Sequence, residues 1–191
     1  MKKAMPLFIS SCVIAFLLVG CTAKITTSID QYNDVIGKSA IGEYADKWGM
    51  SEEIFPENID GLNTTEFLMV YYDPWDAQYL SKLIITYQPE EYIAEFDRLS
   101  RIGISEYKGV YNAEGFNSEY ELVAMNADSY QGLVYALTDK KDTIIYIEMI
   151  FCNYFMDIDY TKYIEEKYLP LSFDATNDNS YRKMKLKNDS V

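Results

Sequence analysis

The sequence predicts an α+β fold: an antiparallel sheet of about five to six strands, one main helix at about 89–102 and a shorter C-terminal helix at about 159–168. Three observations predict it. Short runs rich in β-forming residues follow one another across turn-like clusters, which is the pattern of hairpins. Only residues 89–102 carry a long helical stripe between clear start and stop signals. Strand-like runs are grouped instead of alternating with helices, which argues against a parallel βαβ sheet.

Taken in order, Ile36, Ile41, Tyr44, Ala45 and Trp48 recur at roughly helical spacing up to Gly49, and Glu52 to Pro56 reads as a turn or a short helix closed by its Pro. Residues 31–62 are therefore expected to lie over the sheet as a helical or irregular cover. Thr65–Tyr72 is rich in β-formers and stops at Asp73-Pro74, so Tyr79–Tyr87 should pair back on it as a hairpin. Pro89 suits a first helical position, Glu90 and Glu91 suit the positive end of a helix, and Gly103 suits its stop. Tyr92, Ile93, Phe96 and Leu99 form the apolar face of that helix. Further strands are expected at Glu106–Tyr111, Tyr120–Met125, Tyr130–Leu137 and Thr143–Phe151. In the last, Ile145, Ile147, Met149 and Phe151 alternate with Glu148, which places that acid on a solvent face. Asp159 as a cap and Tyr160, Tyr163, Ile164 and Tyr168 on one side predict the shorter helix, closed by Leu169-Pro170. Beyond Asp174 the chain is polar and reads as a mobile tail, with Tyr181, Met184 and Leu186 available to dock part of it.

The first residues carry a different signal. Lys2 and Lys3 precede the apolar run Met5–Gly20, which at 16 residues and broken by Ser10 and Ser11 is short of the roughly 20 a membrane span needs. Leu18-Val19-Gly20-Cys21 resembles the lipobox of bacterial lipoproteins. The resemblance implies cleavage after Gly20 and a diacylglyceryl group on the Cys21 thiol. It is compatible with the outer face of a Gram-positive membrane or with a Gram-negative envelope, and the overall texture resembles the small lipoproteins of low-GC Gram-positive bacteria. The expected organisation is a removed signal at 1–20, lipidated Cys21 and a tether to 30, one domain at 31–174, and a tail at 175–191. Two acyl chains hold a protein stably where one holds it marginally, so the expected address is the extracytoplasmic membrane surface.

Composition narrows the chemistry. Loss of residues 1–20 removes two lysines and no acid, so the net charge falls from −13 to −15 on 171 residues. That balance argues against nucleic acid, whose affinity comes mainly from lysine and arginine on phosphates. It also repels anionic lipid, so the acyl chains and not the surface are expected to hold the protein at the membrane. No histidine occurs, which removes histidine-dependent nucleophiles, imidazole shuttles and histidine-ligated zinc. With Cys12 in the signal and Cys21 lipidated, Cys152 has no disulfide partner and reads as a small buried hydrophobe. The glycines form no phosphate-binding loop. No cofactor or metal is implied: the calcium-loop fragments starting at Asp157 and Asp174 lack the required Gly and Glu.

Two functions remain. The 18 tyrosines and two tryptophans favour a non-enzymatic binding or accessory module for an envelope protein or wall glycan, with Tyr71, Tyr72, Trp75 and Tyr79 around the Asp73-Pro74 turn as its patch. The alternative is a carboxylate-based hydrolase of envelope polysaccharide, which needs two acids in one cleft. Glu66, Asp73, Asp76 and Glu148 are the acids to examine, although none is singled out as catalytic.

Overall fold

A computed structural model describes residues 22–37, 39–50 and 53–188. Leu18, Val19, Gly20 and Cys21, on which the lipobox reading falls, lie outside the described residues. Among the described residues six strands form one antiparallel sheet: β1 Lys24–Thr26, β2 Asn63–Tyr72, β3 Gln78–Thr86, β4 Glu121–Asp128, β5 Gly132–Thr138 and β6 Thr143–Ile150, in the order β1-β2-β3-β6-β5-β4. The helices are α1 Tyr32–Val35, α2 Pro89–Ile102 and α3 Ser180–Asn188. The α+β class, the antiparallel sheet and the main helix are those the sequence predicts.

Local chemistry explains the joints. At the β5–β6 turn the Asp139 carboxylate accepts from the amides of Lys141, Asp142 and Thr143, and at the β4–β5 turn Asp128 accepts from those of Tyr130 and Gln131. Helix α2 starts with Pro89, its Glu91 side chain accepting from the Gln88 amide at 3.2 Å, and stops at Gly103 with φ 83°. A polar chain then ties α2 to the sheet. Tyr146 Oη donates to Glu95 Oε1 at 2.6 Å, and Arg98 grips Glu95 while donating to the Ile54 carbonyl at 2.8 Å.

Both faces of the sheet are covered. Tyr32, Ile36, Ile54, Phe55 and Ile59 from the N-terminal segment, with Leu99 of α2, bury one face. Tyr111, Met156, Ile158, Tyr160, Ile164, Tyr168 and Tyr181 bury the other. Glu148 is consequently not on a solvent face. It is fully buried, because the residues at 31–62 and α2 lie over its side of β6.

Four further expectations are corrected. Residues 24–26, read as tether, pair as an edge strand with β2, Lys24 opposite Tyr71 and Thr26 opposite Met69. Residues 106–111 form no strand; Gly109, Tyr111 and Asn112 take positive φ and turn the chain so that the Tyr111 ring plugs the second core. The helix expected at 159–168 is two 3-10 turns, Tyr160–Lys162 and Glu166–Tyr168, separated by extended Glu165. There Glu165 accepts from buried Lys82 at 2.9 Å, which clamps the segment to β3. The C-terminal α-helix is instead α3, within the expected mobile tail, docked through buried Tyr181 against Tyr111 at 4.9 Å between ring centroids.

Candidate functional site

Strand register assembles one end of the sheet. Lys24 sits opposite Tyr71, Tyr72 opposite Gln78, Tyr79 opposite Ile150, and Gly132 opposite both Ile150 and Asp128. The start of β1, the β2–β3 turn at 73–77, the β4–β5 turn at 129–131 and the loop after β6 at 151–155 therefore lie together. The loop at 46–49 joins them: Trp48 Nε1 donates to the Ala77 carbonyl at 2.8 Å, and Gln131 Nε2 donates to the Trp48 carbonyl at 2.7 Å. Asn153 completes the weave, donating to Asp76 Oδ2 at 2.9 Å and accepting from Tyr130 Oη at 2.9 Å.

These loops present aromatic rings to solvent. Trp75, at the tip of the β2–β3 turn, is 93% exposed, Trp48 is 39% exposed and Tyr130 41% exposed. Isolated exposed rings are ordinary; here the three stand on loops that the hydrogen bonds above tie to one another. The backbone beneath is strained: Trp48, Asn153 and Tyr154 have φ of 57°, 61° and 66°. Asparagine tolerates that left-handed region, but bulky Trp and Tyr adopt it at a cost of about 1–3 kcal/mol each. Surrounding hydrogen bonds hold them there.

The predicted patch divides. Trp75 belongs to this surface. Tyr71 and Tyr79 are buried beneath it, 5.4 Å apart between centroids, with Tyr44 packed 5.4 Å from Tyr71. Burial and the Asp73 carboxylate push the Tyr71 phenol up to about 12, and burial raises that of Tyr79, so both stay neutral anchors. Tyr72 is half-buried beside Ala23, Asp157 and Lys162 in a shallow cavity of about 150 Å³. The sequence pattern offers Trp48 only as part of a helical stripe and Tyr130 only as the start of a strand, and it marks neither these nor Asn153 as site residues. Their only local signal was Gly49 after Trp48 and an Asx turn before Tyr130; the register that unites them is non-local.

The four acids named for hydrolysis are engaged separately. Glu66 pairs with Lys82 at 2.6 Å, Asp73 accepts from Tyr71 at 3.0 Å, and Asp76 accepts from Asn153. Glu148 accepts from Lys47 Nζ at 3.1 and 3.2 Å and from Ser81 Oγ at 2.8 Å, with both charged side chains buried. A cavity of about 490 Å³ between Tyr160 and Phe173 is lined by one acid, Glu166. The Asp159 and Asp174 carboxylates cap their own turns through Thr161 and Thr176, and no group of three or more metal-ligating acids or cysteines occurs among the described residues. Burial, with Asp76 nearby, pushes the Cys152 thiol up to about 12, so little thiolate is present at neutral pH.

No protein-family model, no curated protein and no solved structure matches the chain.

Proposed function

We propose that this protein is a membrane-tethered lipoprotein, anchored through Cys21, that acts as a non-enzymatic contact module of the envelope through the aromatic end of its sheet. One observation carries the assignment of the surface: Trp75, 93% exposed, stands among hydrogen-bonded loops that also present Trp48 and Tyr130. An exposed indole on a flexible tail would mean little. Here the rings stand on loops tied to strands, which lowers the entropic cost of binding. The candidates for what it meets are an envelope protein, a wall glycan and the membrane itself. Hydrolysis finds no support, because its four acids are committed to separate partners.

Both tryptophans of the chain lie on this surface, so intrinsic fluorescence reports on it directly. In cells, wild type and Trp75→Ala should incorporate labelled fatty acid, and Cys21→Ala should not. Emission from the wild-type protein should shift when isolated envelopes are added, and Trp75→Ala should lose most of that shift. Labelled Cys21→Ala would overturn the anchor; an unchanged emission would overturn the contact surface.

A further inference from the structure

The chain enters the sheet at the aromatic end. Lys24 pairs with Tyr71, one residue from the end of β2, and Ala23 shares a shallow cavity with Tyr72. Only Thr22 and Ala23 separate Cys21 from β1. Three Cα steps reach at most about 10–11 Å, and the polar head-group layer on one side of a bilayer is about 5–8 Å deep. A lipid on Cys21 therefore brings this end, and not the Thr86 or Thr143 end, down onto the membrane.

The same end carries a patch of charge opposite to that of the body. Helix α3 holds Arg182, Lys183, Lys185 and Lys187 in nine residues, without an acid. It packs on the loop after β6: Asn179 Nδ2 donates to the Tyr154 carbonyl at 2.9 Å, Arg182 Nε donates to the Asn153 carbonyl at 3.3 Å, and the guanidinium lies 4.3 Å over the Phe155 ring. Met184 is half-exposed on the same helix. Rings that are amphipathic settle at the head-group level, and lysines and arginines beside them are attracted to anionic lipid.

From these observations we infer that the partner of the aromatic surface is the bilayer: Trp75, with Trp48 and Tyr130, seats in the head-group layer, and the basic face of α3 lies against anionic head groups. The inference rests on lipidation of Cys21. It also fixes orientation, with the sheet standing end-on and the turn at Asp139–Asp142 farthest from the membrane.

The test uses the full lipoprotein, purified from its membranes and reconstituted into vesicles of phosphatidylethanolamine and phosphatidylglycerol with or without brominated acyl chains. Its intact mass reports the acyl group, and tryptophan quenching reports seating. The expected result is an acylated protein whose emission is quenched by brominated lipid. With two tryptophans at this end, Trp75→Phe should cut the quenched signal by about half or more. Because Trp75 is exposed, the circular dichroism of that variant should match wild type. The pair Lys185→Glu and Lys187→Glu should weaken quenching in these vesicles and leave it unchanged in phosphatidylcholine. An acylated protein that is not quenched, or whose emission responds to wall glycan and not to lipid, would overturn the inference and leave the anchor standing. A protein lacking the acyl mass would overturn both.

Discussion

The buried trio of Lys47, Glu148 and Ser81 is the most consequential side-chain arrangement in the core. Removing charges from water costs several kcal/mol each, which the pair recovers only through close contact. Glu148→Gln should therefore destabilise the protein by about 3–5 kcal/mol in urea denaturation, because it removes one member of a buried ion pair. The double variant Lys47→Met with Glu148→Leu should lose far less; equal losses would mean that packing, not charge, is at stake. A second ion pair sets an acid limit. Burial would raise the Glu165 carboxyl, but the Lys82 ammonium outweighs it and holds the group below its ordinary 4.5. A folded-state value held low stabilises at pH above 4.5 and loses that contribution as pH falls through the lowered value. The urea midpoint of wild type should drop more steeply below pH 4.5 than that of Lys82→Met, and parallel curves would refute the linkage. Glu148 was legible in the sequence as an odd acid in an apolar run. Its partner was not, since Lys47 lies 101 residues away and nothing local marks it as buried.

At the scale of elements, hairpins and the main helix were readable because their determinants are local: Asp73-Pro74 at one turn, the carboxylates of Asp128 and Asp139 at two others, and Pro89 and Gly103 bounding α2. The misread pieces owe their conformation to distant partners. Three residues of β1 carry no periodicity, and only the free edge of β2 makes them a strand. Glu106 to Tyr111 look like a strand because aromatic residues favour sheets, yet Tyr111 is spent on filling the second core. At 160–168 the spacing suited a helix, but Lys82 fixes Glu165 in an extended conformation midway. Gly132 is the position at which the aromatic end depends most on backbone form. It has φ 112°, and a Cβ there would stand 2.1 Å from the Met149 carbonyl oxygen. Gly132→Ala should cost more than about 2 kcal/mol and lower the thermal midpoint accordingly, since both strain and collision must be relieved. A midpoint unchanged from wild type would mean that β5 can shift without penalty.

Across the whole molecule, the end assembled by register could not be read from the chain, although each contributor could be named. Trp75 was visible beside its turn; its association with Trp48 and Tyr130 depends on strand order, which places β4–β5 and β2–β3 turns at the same end through β6. The segregation of basic residues onto α3 was present in the sequence as a charged run, but its neighbours were not. The short β1 has a mechanical consequence. Tension on Cys21, directed along the strands, would load the three-residue β1–β2 ladder in shear before anything deeper in the sheet. Stripping β1 would lengthen the leash from about 10 Å to about 25 Å as far as Ser28, with the ten-residue β2 and nine-residue β3 still paired. With Cys21 lipidated as proposed, the strand would act as a fuse, holding the domain close to the membrane at rest and letting out slack under load while the core stays folded.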